Sequence, residues 1–384
     1  MKYAVFVCGG MADRPMPEHN NITALSASEK ENIDIIAKFS ETGLVRTAEF
    51  SEEPSPEKAL FSLMGYDAGR FFKGSTVFSL YNMDMIPEND DIILRCSPVR
   101  LSEGDVFEER KMISADAENM TEDEFDCIFS ELSESLSNDV FRFVKGMNRD
   151  IFIIWKHGEE YAGDFSQPEN ALSGCIGEYL PKGDFVQPLY DMMAKSSVVL
   201  EKHSSNAVWI WGNSAVPKAD SFEKKFGLKG TVVSDTDFAR GIGRFLEMKA
   251  VSCNGDVSEK ILSEFEAGRD IVFFYSEDMY ETGLKCDFYG KAEKISEFDR
   301  EILKPVLSGL EKSGEDFGIL IVSDICVPAY LGRYSSDPVP YLIYKSSEKK
   351  NSGISSFDEN TAADTDNYIE KPYELIERLI SRHG

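Results

Sequence analysis

Long hydrophobic runs are missing from this sequence. No apolar stretch approaches the roughly 18 residues that a membrane-spanning helix needs. The apolar run at residues 3–8 is short, and no small-residue cleavage site follows it, so a signal peptide is not expected. These absences favour a cytoplasmic protein that does not associate with a membrane.

Basic residues are outnumbered. The chain has 41 Lys and Arg against 68 Asp and Glu, a net charge of −27. Because nucleic acids and anionic membranes attract basic surfaces, neither is an expected partner. The acidic surface is sufficiently explained by solubility. A local basic pocket for a small phosphorylated or carboxylated ligand is still compatible with this charge.

Cysteine and histidine are sparse. The seven cysteines are an odd number and contain no CxxC pair, which argues against a disulfide framework and against a cysteine zinc site. Histidine occurs four times, at His19, His157, His203 and His383. So few imidazoles limit the metal sites that the chain can build.

Alternating strand and helix patterns run through most of the chain. Continuous apolar strands such as "DIVFFYSE" and "GILIVSD" are typical of a sheet covered on both faces. We predict an α/β fold with a doubly wound, largely parallel sheet. Residues 96–206 are less regular and more polar, so we predict a smaller inserted α/β domain there and a core domain of residues 1–95 and 207–384.

Three short sequence patterns predict local features of the fold. The turn Gly9-Gly10 ends the first strand, at the place where α/β proteins bind ligands. Ser28 and Glu31 have the spacing of a helix capping box. Pro305 should kink a long helix that begins near Lys291.

Several motifs together resemble the archaeal-type, 2,3-bisphosphoglycerate-independent phosphoglycerate mutases of the alkaline-phosphatase superfamily. The motifs, in order, are "GMAD", "GLVRT", "SLMGYD", "WIWG", "SFEKKFGLKG", "GIG" and "DPVPYLIY". The resemblance implies an alkaline-phosphatase-like core with two divalent metals, such as manganese, and a serine nucleophile. That serine would move a phosphoryl group between neighbouring hydroxyls of phosphoglycerate. The inserted domain would supply basic residues that hold the substrate.

Most positions that the resemblance assigns to metal or nucleophile hold unsuitable residues. Only Asp324 carries over as a metal ligand. The other six positions hold Gly9, Pro56, Tyr280, Leu284, Ile325 and Tyr334. One carboxylate cannot hold two metals, so no metal cofactor is expected. Tyrosine and other bulky side chains are expected to fill the former cleft.

Ser55 lies one residue before the position expected for the nucleophile. A one-residue shift could make it the catalytic serine. The sequence Ser55-Pro56-Glu57 is also typical of a helix N-cap, and we favour that interpretation. Arg149 and Arg240 are the candidate substrate-binding residues, although a salt bridge is an alternative role for each.

Three functional hypotheses follow. The first is a mutase-like protein that kept the fold, lost metal-dependent phosphoryl transfer and acts in binding or regulation. The second is an active mutase or related phosphotransferase that uses Ser55, Asp324, Asp278 and Glu281 in a shifted arrangement. The third is an interaction protein whose surface matters more than its cleft.

Overall fold

The computed structural model describes residues 1–115, 120–158, 163–183, 186–349 and 351–381. His383 lies outside these residues. The chain divides into two compact units, Met1–Phe72 with Ala219–Gly384, and Lys73–Lys218. These bounds differ from the predicted boundaries at 95/96 and 206/207. The reason is that the strands Ile92–Leu101 and Ala207–Ala215 pair with each other, which places both in the second unit.

The described residues form fifteen strands. They are β1 (Lys2–Cys8), β2 (Glu41–Val45), β3 (Ile92–Leu101), β4 (Met112–Ser114), β5 (Phe141–Lys145), β6 (Ile151–Trp155), β7 (Gly163–Asp164), β8 (Lys182–Gly183), β9 (Ala207–Ala215), β10 (Gly230–Val233), β11 (Lys249–Val251), β12 (Ile271–Ser276), β13 (Phe317–Val322), β14 (Val339–Lys345) and β15 (Tyr368–Ile369).

The α-helices in the same part of the chain are α1 (Ala24–Ala27), α2 (Glu31–Ala37), α3 (Pro56–Leu63), α4 (Ala68–Phe71), α5 (Thr76–Asn82), α6 (Glu122–Leu136), α7 (Gln187–Val199), α8 (Phe222–Phe226), α9 (Asp237–Phe245), α10 (Val257–Glu266), α11 (Asp278–Leu284), α12 (Phe288–Glu297), α13 (Lys304–Ser313), α14 (Glu359–Ala363) and α15 (Glu374–Ile380). None of these helices has the length and apolar character that crossing a membrane requires.

The first unit is built on an eight-stranded sheet with the order β11-β10-β12-β1-β13-β14-β2-β15. β14 runs antiparallel to both of its neighbours, and the other pairings are parallel. The central strand β13 is buried along its whole length, as its apolar run predicts. The predicted mixed α/β fold with a large, mostly parallel sheet is confirmed.

The second unit has an antiparallel sheet of β4, β3, β6, β5 and β9, in which β3 pairs with both β6 and β9. The apolar faces of α6 and α7 belong to the same buried cluster as side chains of this sheet. Phe125, Ile128, Leu132 and Leu136 form the buried stripe of α6, because their spacing places them on one face of the helix.

Two local predictions are changed by the structure. Ser28 does not cap α2, because its hydroxyl donates to the carbonyl of Leu25, and the capping box is formed by Thr23 and Ser26 at α1 instead. The helix before Pro305 widens into a π-helical segment, Phe298–Leu303, between α12 and α13. A π turn changes the hydrogen-bond spacing, and this accommodates a proline that has no amide hydrogen to donate.

Candidate functional site

Three neighbouring parallel strands place their carboxyl ends together. β1 lies between β12 and β13, so the loops that begin at Gly9, Glu277 and Ser323 meet at one edge of the sheet. This edge is where α/β folds usually bind ligands. The structure therefore brings Gly9, Tyr280 and Asp324 together, as the resemblance implies.

Asp324 is completely buried and accepts four hydrogen bonds. Its Oδ1 accepts from the amides of Gly10 at 3.1 Å and Ile325 at 2.6 Å. Its Oδ2 accepts from the hydroxyl of Tyr275 at 3.0 Å and from that of Tyr280. Burial raises the pKa of the Asp324 carboxyl, and the four hydrogen bonds oppose that rise.

The ring of Tyr280 occupies the space beside Gly9. A Cβ atom added to Gly9 would lie 2.6 Å from the carbonyl oxygen of Ser276 and 2.9 Å from Cε2 of Tyr280. Gly10 has a φ of +72°, and a Cβ there would lie 2.8 Å from Cδ1 of Tyr280. A carboxylate in place of either glycine would therefore collide with the tyrosine or with backbone.

Tyr334 and Glu277 lie next to this buried centre. The rings of Tyr334 and Tyr280 pack with centroids 5.5 Å apart. Glu277 accepts weak hydrogen bonds from the hydroxyls of Tyr275 and Thr236, each at 3.3 Å. Desolvation, and then the charge of Asp324, raise the pKa of the Glu277 carboxyl. A second negative charge is therefore disfavoured here in the absence of a cation.

A buried lysine holds the two loops that flank this centre. Nζ of Lys291, on α12, donates to the carbonyls of Ala12 at 2.9 Å and Val327 at 2.8 Å. It also lies 3.3 Å from Oδ2 of Asp13. These contacts tie the loop after β1 to the loop after β13. The "GMAD" motif that contains Asp13 therefore has a structural role.

Two divalent metals do not fit the residues at this centre. A carboxylate offers about four lone-pair sites, and Asp324 already uses them on four donors. The tyrosine hydroxyls and backbone amides around it donate rather than accept. The position of the first expected ligand is Gly9, which has no side chain and no free space beside it.

The remaining residues named by the sequence analysis differ in burial and in hydrogen-bond partners. Ile325 is buried, as predicted for a residue that fills the cleft. Leu284 was expected to help fill the cleft as well, and this prediction is wrong. Leu284 is the last residue of α11 and is 40% exposed. Asp278 accepts a hydrogen bond from Ser276 at 2.6 Å, and Glu281 pairs with Lys285.

Ser55 is the N-cap residue of α3. Its Oγ accepts from the amide of Lys58 at 3.2 Å and donates to Oε2 of Glu57 at 2.8 Å. Pro56 occupies the first helical position. The predicted capping role is therefore confirmed, and a carboxylate stands next to the hydroxyl that would have to accept a phosphoryl group.

Ser55 also borders a cavity of about 350 Å³ in the first unit. Two of its three basic lining residues have acidic partners, since Arg46 pairs with Glu370 and Lys58 with Glu52. The full charged lining is Arg46, Lys58 and Lys371 against Glu49, Glu52, Glu53, Asp67 and Glu370. With acids in excess, the charge of this cavity disfavours an anionic ligand.

The two candidate anion-binding arginines each have carboxylate partners. Arg240 donates to Asp237 at 2.7 Å on the same helix. Arg149, in the second unit, donates to the carbonyl of Met120 at 2.5 Å and lies 3.3 Å from Glu122. Their predicted role in binding a substrate stays a prediction.

Sequence reasoning missed Tyr275 as part of the centre. In the sequence, Tyr275 is one residue of the apolar strand "DIVFFYSE". Its hydroxyl points to Asp324, and burial together with the charge of Asp324 raises the tyrosine pKa well above its usual value. A tyrosine near the carboxyl end of a central strand was the available signal, because a buried hydroxyl needs a partner.

Comparisons with known proteins agree with the resemblance. The family model described as 2,3-bisphosphoglycerate-independent phosphoglycerate mutase matches residues 37–206. A protein of that name from Methanosarcina mazei is 27% identical, with 99% of this chain and 100% of that protein covered. A probable one from Geobacter sulfurreducens is also 27% identical, with both chains covered completely.

Two solved structures share the fold. A protein from Pyrococcus horikoshii superposes with a TM-score of 0.79 at 19% identity, covering 100% of this chain and 99% of that one. A cofactor-independent phosphoglycerate mutase from Thermoplasma acidophilum gives a TM-score of 0.66 at 18% identity, with both chains covered completely. The similarity therefore extends over both units.

Proposed function

The resemblance to the 2,3-bisphosphoglycerate-independent phosphoglycerate mutases is confirmed, and on that premise we propose that this chain is a non-catalytic or repurposed homologue of these enzymes. In this proposal the chain keeps the fold of the mutases, which interconvert 2-phosphoglycerate and 3-phosphoglycerate. It has lost the dinuclear metal site and the serine nucleophile.

One observation carries the proposal. The sole carboxylate retained at a metal position, Asp324, has both oxygens committed to donors, and the ring of Tyr280 fills the space beside Gly9. In the family reaction a metal ion activates the serine nucleophile. Ser55 instead accepts from a helix amide and donates to Glu57, whose negative charge opposes the approach of an anionic phosphoryl group.

The proposed role is binding or regulation in the cytoplasm. The free cysteines support that location. The proposed ligand is a small phosphorylated or carboxylated molecule. Arg240 in the first unit and Arg149 in the second are two separate candidates for holding its anionic group. Each arginine would have to exchange a carboxylate of this chain for that of the ligand, so weak, salt-sensitive binding is expected.

Turnover measurements test the loss of catalysis. The full-length chain is stripped of metal and supplied with 3-phosphoglycerate and either Mn²⁺ or Co²⁺, while the Methanosarcina mazei relative is assayed in parallel. We expect no 2-phosphoglycerate above the level without protein. Turnover comparable to the relative, abolished by Asp324→Asn or Ser55→Ala, would overturn the proposal and support an active enzyme with shifted residues.

A further inference from the structure

A cysteine, a glutamate and a histidine meet in the second unit. Cys127 and Glu131 lie four residues apart on α6 and therefore share one face of the helix. His203 follows α7 and reaches the same face. One ligand atom from each of the three residues lies within 4.8 Å of the other two.

We propose that these residues form a binding site for a divalent transition metal of the zinc class. The Sγ of Cys127 is 3.6 Å from Oε1 of Glu131, and Nε2 of His203 is 3.0 Å from Oε2 of the same residue. Ligand atoms around a tetrahedral zinc ion are separated by about 3.3 to 3.8 Å, given the usual Zn–S and Zn–N bond lengths. Small side-chain rotations would therefore close the site.

The main chain around His203 is held in place. The amide of His203 donates to the carbonyl of Leu200 at 3.0 Å, and Arg100 donates to the carbonyl of His203 at 3.3 Å. The next residue, Ser204, donates to Glu124 on α6 at 2.5 Å. The imidazole is only 15% exposed. The histidine is therefore positioned against α6 before any ion binds.

The ligand types select the kind of metal. Thiolate and imidazole prefer Zn²⁺ and similar ions over Mg²⁺, Ca²⁺ or Mn²⁺, which prefer oxygen ligands. Three protein ligands leave a fourth position for water. A nucleophilic cysteine is the less suitable interpretation, because Glu131 stands between the thiol and the imidazole, so the imidazole is not placed to take the proton.

Zinc and cobalt titrations of the metal-free full-length chain test the site. We expect about one equivalent of Zn²⁺ to bind and Co²⁺ to produce a thiolate-to-cobalt charge-transfer band. Cys127→Ser should abolish the band. We expect Zn²⁺ affinity to fall by about tenfold or more in each of three variants, Cys127→Ser, Glu131→Gln and His203→Gln. Cys286→Ser, which changes an exposed cysteine of the first unit, should leave both unchanged.

Two variants separate this site from the centre around Asp324. Metal bound at Cys127 is retained in Asp324→Asn and lost in Cys127→Ser, whereas metal bound at the other centre shows the reverse. Equal Zn²⁺ binding by the original chain and by Cys127→Ser, both folded by circular dichroism, would overturn the proposal. So would the absence of Zn²⁺ binding by the original chain.

Discussion

Tyr280 determines the character of the candidate site at the scale of single residues. Its hydroxyl donates to the buried carboxylate of Asp324, and its ring covers Gly9 and Gly10. Burial, and then the charge of Asp324, raise the pKa of Tyr280 well above its usual value, so the tyrosine stays a hydrogen-bond donor at neutral pH. One side chain thus donates to Asp324 and fills the space beside Gly9 and Gly10.

Removing the Tyr280 hydroxyl should cost stability. Tyr280→Phe leaves Asp324 one donor short in a fully buried position, which typically lowers the free energy of unfolding by about 1–3 kcal/mol. Urea unfolding followed by circular dichroism measures this change. Tyr334→Phe is the matched control, since Tyr334 packs on the ring of Tyr280 and is only half-buried. Equal stability of Tyr280→Phe and the original chain would contradict this account of Asp324.

At the scale of elements, α3 shows how one serine can suggest two roles. Ser55, Pro56 and Glu57 form a cap, a first helical residue and an acidic first turn. All three favour the start of a helix. The buried side of α3 includes Leu60, Phe61 and Leu63, so the helix is fixed by packing as well as by its cap.

A cap variant distinguishes the structural role of Ser55 from a catalytic one. Ser55→Ala removes the acceptor for the Lys58 amide and should lower the free energy of unfolding by about 1 kcal/mol. Ser55→Asp keeps an acceptor and should restore most of that loss. A catalytic activity that needs the serine hydroxyl would be lost in both variants. If Ser55→Asp regained stability but no such activity, Ser55 would have a catalytic role in addition to its cap.

At the scale of the whole molecule, contacts between distant segments support the candidate site. Glu359, at the first turn of α14, accepts from the amide of Asp13 at 2.8 Å and from the hydroxyl of Thr23 at 2.6 Å. Desolvation raises the pKa of Glu359 to about 7. The folded chain therefore binds a proton that the unfolded chain releases between about pH 4.5 and pH 7.

This linkage predicts the direction of a pH effect. Because the pKa is higher in the folded state, the contribution of Glu359 to stability falls as the pH rises through that window, by roughly 1–3 kcal/mol. Urea unfolding at pH 5.5 and pH 7.5 measures it. Glu359→Gln, which resembles the protonated side chain, should show a smaller loss between the two pH values. Glu103→Gln, at an exposed position, should behave like the original chain.

Much of the fold could be predicted from the sequence because its signals are local. Apolar runs of β-branched and aromatic residues mark strands such as β12 and β13 that a sheet buries on both faces. The Ser55 cap is also local, since a cap depends on residues within one helical turn. The division into units was less predictable, because the pairing of β3 with β9 joins residues more than a hundred positions apart.

The sequence by itself determined the strand–helix alternation, the resemblance to the mutases and the absence of a side chain at Gly9. Only the tertiary structure decided what fills the space beside Gly9, since Tyr275 and Tyr280 reach Asp324 through the meeting of three strand ends. It likewise decided that Cys127 and His203, which form no sequence motif, face Glu131 together. Spacing along a chain encodes local geometry, whereas a site built from separate elements exists only once those elements pack.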